Sequence, residues 1–252
     1  MISFKNKSVL ITGAGSGLGR NVAIELSKLE AKLVLLDINA TSLEETKSLC
    51  YGGGCEIKTV IADLRDMDNC IKLLGKICTG LKLNAFVHCA GIASICPLKS
   101  LKREEYMNVM QINTFAGLEI AKWFAHKKHH ADDDANICFI ASVYGLVGSA
   151  ANVAYAMSKG AVIAMTKALS IELAPKKIRV NAIAPGFFTG TNMGNSFSNF
   201  FDDERQELVN SLHPLGLGKA SDVAKSVVFM LSDASKWTTG AVFSVDGGFS
   251  AQ

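Results

Sequence analysis

Short, continuous apolar runs alternate with longer stretches of helical period along this chain. Val9-Leu10-Ile11 is the first run and predicts a buried strand, and Leu18 to Leu29 follows with the spacing of a helix. Leu33-Val34-Leu35-Leu36 is again a strand, and Ser42 to Cys50 a helix. Ile57 to Ala62, Ala85 to Cys89, Ile137 to Ala141, Ile178 to Ile183 and Ala241 to Val245 bring the predicted strands to seven. Strands that are apolar at successive positions are buried on both faces, and strands separated by helices pair in parallel. The pattern predicts an α/β fold: a doubly wound, seven-stranded parallel sheet with helices on both faces and right-handed crossovers. No repeat and no linker-like stretch divides the 252 residues, so a single domain over 1–252 is expected.

One segment breaks the rhythm. Residues 187–217 are rich in Asn, Ser, Gly and Thr, and carry Phe187, Phe188, Phe197, Phe200 and Phe201. A connection of that length reads as a substrate lid with an apolar inner face.

Composition narrows the function classes. Apolar residues at 49% against 19% charged exclude a disordered chain and supply a large core. The 26 basic and 23 acidic residues are interspersed, which excludes the basic footprint of a nucleic-acid binder. The basic stretch His126-Lys127-Lys128-His129-His130 is followed at once by Asp132-Asp133-Asp134 and reads as a solvated helix end. The seven cysteines are odd in number and lack Cys-x-x-Cys spacing, so neither a metal site nor a disulfide framework is expected. Such usage suits a reducing, cytoplasmic setting. The apolar run after Lys5 and Lys7 breaks at Gly13-Ala14-Gly15, and the uncharged stretch from Ala135 to Ser158 is interrupted by Asn, Ser and Gly. Neither reads as a signal peptide or a membrane span.

The first candidate chemistry is Thr12-Gly13-Ala14-Gly15-Ser16-Gly17-Leu18-Gly19, between strand one and helix one. Glycines let a phosphate approach the backbone, and a helix start offers free N–H donors and a positive dipole end. Asp37 ends strand two, 18 residues beyond Gly19. A carboxylate there accepts hydrogen bonds from ribose hydroxyls and repels a 2′-phosphate, and Ser16 and Ile38 supply no compensating cation. The expected cofactor is NAD(H), with NADP(H) less favoured. Asp63, after strand three, either meets the adenine edge beside Leu64 or is a turn residue.

The second is Tyr155-Ala156-Met157-Ser158-Lys159, at the start of a helix running to about Ala174. Positions i and i+4 share a helix face, so an ammonium can approach the phenol, favour its ionised form and lower a pKa that is ordinarily ~10. The pair then works as a proton donor and acceptor. Lys159 could also bond the nicotinamide ribose. Ser142 ends strand five, on the side where open α/β sheets bind ligands. Asn113 lies in a helical segment, where asparagine is mildly unfavourable. Pro185-Gly186 turns the backbone after strand six.

With these residues in view, the chain resembles the classical short-chain dehydrogenase/reductases from about Lys7 to Phe249. The resemblance rests on the glycine string, Ala90-Gly91, Asn113, Ser142, Tyr155 with Lys159, Asn181-Ala182-Ile183-Ala184-Pro185-Gly186 and Asp246-Gly247-Gly248. It implies a Rossmann sheet and a catalytic tetrad of Asn113, Ser142, Tyr155 and Lys159. Tyr155 would exchange the hydroxyl proton, Ser142 orient the substrate oxygen, Lys159 lower the tyrosine pKa and Asn113 hold a relay water. Cofactor contacts would fall on Gly13, Ser16, Gly17, Leu18, Gly19, Asp37, Asp63, Leu64, Ala90, Gly91, Tyr155, Lys159, Pro185, Gly186, Phe188 and Thr191. Many members are homotetramers, so a homotetramer or dimer is expected.

Two departures stand out. His88-Cys89 occupies the place of the family's Asn-Asn, so the polar roles of those side chains do not carry over. After Pro185-Gly186 both Thr189 and Thr191 compete to cap the nicotinamide amide, with Thr191 favoured. His213-Pro214-Leu215-Gly216 and the ending from Trp237 to Gly248 look like 3-oxoacyl-acyl-carrier-protein reductases. The reading is an NAD(H)-dependent oxidoreductase acting on a secondary alcohol or ketone. The alternatives are an NADPH-dependent 3-oxoacyl-acyl-carrier-protein reductase, with Lys127, Lys128 and Arg179 meeting an acidic carrier, and a non-enzymatic dinucleotide sensor.

Overall fold

The computed structural model describes residues 2–50, 55–191, 207 and 209–251. All seven predicted strands form: β1 (Ser8–Thr12), β2 (Lys32–Asp37), β3 (Ile57–Ile61), β4 (Ala85–His88), β5 (Ala135–Ile140), β6 (Ile178–Pro185) and, last in the chain, β9 (Val242–Val245). Two short strands, β7 (Phe188–Thr189) and β8 (Gly218–Lys219), pair with each other apart from the main sheet. The main sheet runs β3-β2-β1-β4-β5-β6-β9, and every neighbouring pair is parallel. Strand order reverses between β1 and β4, which opens a crevice at their carboxyl ends.

The period of two along each strand sends neighbouring side chains into different cores. Val9, Ile11, Leu33, Leu35 and Val87 pack on one face with α1 (Gly17–Lys28) and the last helix, α7 (Ala220–Leu231). Leu10, Val34, Leu36, Phe86 and Phe139 pack on the other with α3 (Met67–Ile77), α5 (Ala116–Phe124) and α6 (Val153–Leu173). Both faces are therefore covered, as continuous apolar runs require. Asn39 and Asp66 cap α2 (Ala40–Leu49) and α3, accepting from the N–H groups of Ser42 and Asn69.

Three boundaries differ from expectation. β5 stops at Ile140, and Ser142 instead caps a 3₁₀ turn, Val143–Gly145, by accepting from Tyr144 N at 3.2 Å. β6 continues to Pro185 because Pro185 still pairs in register with Val245 of β9. Asn113 lies not in regular helix but in a π turn, Gln111–Phe115, between α4 (Arg103–Met110) and α5. Residues 192–206 and 208 of the expected lid, with Phe197, Phe200 and Phe201, lie outside the described residues. Among the described residues no helix is long and apolar enough to cross a membrane.

Candidate active site

At the crevice the β1–α1 turn folds against β4. Gly13 has φ +64, and a Cβ there would stand 2.7 Å from the Ala90 backbone, so only glycine lets the two segments meet. The turn is tied to β2 by Asp37: Oδ2 accepts from Gly15 N at 2.9 Å, and Oδ1 accepts from Asn39 N at 3.0 Å. Asp63 is gripped by Arg65, whose Nε stands 3.0 and 2.9 Å from its two oxygens, and that guanidinium holds the carboxyl below the usual range.

One cleft of about 560 Å³ runs from this turn to the start of α6. Gly13, Ser16, Gly17, Leu18, Gly19, Asp37, Asp63, Leu64, Ala90, Gly91, Ser142, Tyr155, Lys159, Pro185, Gly186, Phe188 and Thr191 all line it. The two threonines separate here. Thr191 is buried and packs on Gly17, whose Cβ would lie 3.3 Å from its methyl group, whereas Thr189 is exposed in β7.

Tyr155 and Lys159 are both buried on the first turns of α6. Lys159 Nζ donates to the Ile140 carbonyl at 2.8 Å and stands 5.5 Å from the Tyr155 ring centroid. Among the described residues no acidic side chain forms an ion pair with it. Asn113 is fully buried just behind the cleft wall. Its Oδ1 accepts from Ile92 N at 2.8 Å, and its Nδ2 donates to Ile92 O at 3.0 Å and Ser158 Oγ at 2.9 Å. Ser158 Oγ in turn donates to Tyr155 O at 2.7 Å. The amide therefore fastens the loop after β4 to the helix carrying Tyr155.

Electrostatics correct one expectation. The phenol of Tyr155 is not lowered in the chain alone; burial pushes it up to about 12, against an opposing pull from the Ser142 hydroxyl. Burial also pushes Lys159 down to about 8. Removing water disfavours both charged forms, and burial is the largest cause for each group.

Sequence reasoning missed Tyr144, Ile92 and Asn108 as cleft residues, and placed Phe187 only among the aromatics of the expected lid. Tyr144 packs edge-on against Phe187, with ring centroids 5.7 Å apart. For Tyr144 the signal was an aromatic residue two positions after Ser142, and for Phe187 one directly after Pro185-Gly186. It also missed that His88, despite replacing an asparagine, makes polar bonds through both ring nitrogens.

The family model described as enoyl-(acyl carrier protein) reductase matches residues 13–250. The chain belongs to the short-chain dehydrogenase/reductase family. A relative in this family, 2-(S)-hydroxypropyl-CoM dehydrogenase 3 of Xanthobacter autotrophicus, is 31% identical over 98% of each chain. The 3-oxoacyl-[acyl-carrier-protein] reductase of Rickettsia felis is 33% identical, also over 98% of each. A protein from Agrobacterium tumefaciens solved with bound NADP is 27% identical, with a TM-score of 0.87 over 99% of this chain and 98% of that one. This short-chain dehydrogenase/reductase thus shares its whole described length with oxidoreductases of varied substrates.

Proposed function

We propose that this enzyme is an NAD(H)-dependent oxidoreductase that interconverts a secondary alcohol and a ketone. The observation that carries this reading is that Ser142, Tyr155 and Lys159 meet at one end of a single cleft while the Asp37 carboxylate lines the other. The residues present fit a dinucleotide. The Gly13 turn admits a phosphate, and Asp37 is placed to accept from ribose hydroxyls. Among the described residues lining the cleft the cations are Lys159 and Arg65, and Arg65 is bound to Asp63. Arg20, on α1 beside the glycine turn, is bound to Glu45, Ser42 O and Thr46 Oγ1. A 2′-phosphate beside Asp37 would meet repulsion and, among the described residues lining the cleft at that end, no cation outside an ion pair.

When bound, the nicotinamide supplies the hydride acceptor or donor. Ser142 Oγ would hold the substrate oxygen, and Tyr155 Oη would take its proton in oxidation and return it in reduction. Lys159, with two N–H donors beyond its bond to Ile140, would bond the nicotinamide ribose and stabilise the phenolate. Asn113 would keep Ile92 and the α6 backbone in place, with Thr191 at the phosphate–nicotinamide side. Tyr144, Phe187 and Ile92 give the substrate end an apolar wall, which supports a partly apolar substrate.

An NADPH-dependent 3-oxoacyl-acyl-carrier-protein reductase is the second reading, favoured by the Rickettsia relative. The carrier-docking cations expected for it are poorly placed. Arg179, at the start of β6, donates to Thr238 O and Met230 O, and Lys127 and Lys128 precede β5. All three sit at the amino end of the sheet, opposite Tyr155. Exposed Met107, Phe115, Leu118, Val153, Met157 and Ile171 along α4–α6 support assembly into a homotetramer or dimer, and seven free thiols support a cytoplasmic setting.

A panel of secondary alcohols and ketones, read by NADH absorbance with NADPH in parallel, tests the reading. Turnover with NADH preferred supports it. A clear NADPH preference overturns the role given to Asp37, and binding without turnover favours a sensor.

A further inference from the structure

His88 closes β4, with Thr12 of β1 as its register partner on one side and Phe139 of β5 on the other. It is 2% exposed and packed between the rings of Phe86 and Phe139. Its Nε2 lies 3.0 Å from the carbonyl oxygen of Ile112, and its Nδ1 lies 2.9 Å from Thr12 Oγ1. A carbonyl only accepts, so Nε2 carries the proton and Nδ1 is the acceptor. The Thr12 hydroxyl then donates to Nδ1 and itself accepts from Ala90 N at 3.3 Å. One direction of hydrogen bonding runs through the series: Ala90 N–H to Thr12, Thr12 to His88, His88 to Ile112.

The two ends of that series matter. Thr12 directly precedes Gly13, the residue that lets the dinucleotide turn approach β4. Ile112 directly precedes Asn113 within the π turn. The neighbouring helix is shaped for the ring: a Cβ on Gly117 would stand 2.9 Å from His88 Cδ2 and 3.2 Å from Nε2. α5 lies against the imidazole only because that position has no side chain. A ring spanning two elements, with a space cleared for it, does more than fill the core.

We infer that His88 is a positioning residue that sets the spacing between the cofactor-binding turn and the Asn113-bearing π turn, Thr12 and Ile112 being its two contacts. The inference rests on the dehydrogenase reading above, and it concerns a residue that touches neither cofactor nor substrate. Its two bonds make separable predictions. Asparagine keeps an acceptor near Nδ1 but is too short to reach Ile112. Glutamine places its amide N–H near Nε2 and gives up the acceptor for Thr12.

His88→Asn and His88→Gln are therefore measured for NADH dissociation constant, by nucleotide fluorescence, and for kcat. The expected result is a split. His88→Gln weakens NADH binding by roughly fivefold to tenfold and loses proportionally less kcat, whereas His88→Asn loses roughly tenfold in kcat with NADH binding changed less than about twofold. Equal effects of both variants on both quantities, or lowered thermal stability with unchanged kinetics, overturn the inference. If either variant fails to fold, Gly117→Ala provides the second route: it should lower kcat in the wild-type background and cost markedly less beside the shorter side chain of His88→Asn. Additive losses in that double variant also overturn it. Wild-type protein that binds NADH but turns over no substrate would instead remove the dehydrogenase reading, and the NADH-binding half of the split would still be measurable.

Discussion

Lys159 lies over the ring of Tyr155, its Nζ 5.5 Å from the ring centroid, while its hydrogen bond goes to the main-chain oxygen of Ile140 at 2.8 Å. The ammonium is thus anchored to the end of β5 rather than to the phenol. That anchoring fixes where the charge sits relative to the Ser142 hydroxyl, proposed above to hold the substrate oxygen. Burial holds the phenol high and the ammonium low.

Tyr155→Phe removes the oxygen proposed to transfer the proton and leaves the ring packing. Turnover should fall by ~10²–10⁴-fold while NADH binding changes little. Steady-state kinetics with nucleotide fluorescence titration checks this, and substantial residual turnover would reject Tyr155 as the acid/base.

Asp37→Ser combined with Ile38→Arg removes the negative charge from the proposed ribose end of the cleft and supplies a cation. The ratio of kcat/KM for NADH over NADPH should drop by roughly tenfold to a hundredfold. A ratio that stays put would mean that Asp37 acts only as the brace between Gly15 and Asn39.

Asn113→Ala deletes three buried hydrogen bonds and leaves Ile92 and Ser158 without their partner. Stability should fall by about 2–4 kcal/mol in urea denaturation, and kcat should fall with it, because the helix carrying Tyr155 loses its link to the loop after β4. An unchanged unfolding midpoint would contradict the bracing role.

His88 links the fold to pH. Burial holds its imidazole down at about 4, below the ordinary 6.5. The unfolded chain therefore binds the proton first on acidification. The contribution is fully present above 6.5 and is lost as pH falls from 6.5 toward 4; a displacement of that size corresponds to roughly 3 kcal/mol. The urea midpoint should fall less between pH 7 and pH 4.5 for His88→Gln than for the wild type. Identical pH dependence in both would show that His88 is not kept neutral by the fold.

The sheet was legible in the sequence because parallel strands buried on both faces leave continuous apolar runs, and all seven appear in the structure. The glycine turn and the Tyr155–Lys159 spacing were legible for similar reasons: each is set by local backbone geometry, a tight turn in one case and one helical turn in the other. Asp37 could be read because it ends a strand.

What lay beyond the sequence depends on contacts between distant segments. The π turn at Asn113 is visible only once Ile92 and Ser158 are seen to converge on that amide. The opposing displacements of Tyr155 and Lys159 come from burial, a property of the packed whole that i,i+4 spacing does not encode. Gly117 and His88 lie 29 positions apart, and neither residue type explains itself until the ring and the bare helix surface are brought together. Local sequence determined the elements and the chemistry they carry; packing decided which groups lose water, and so how that chemistry is poised.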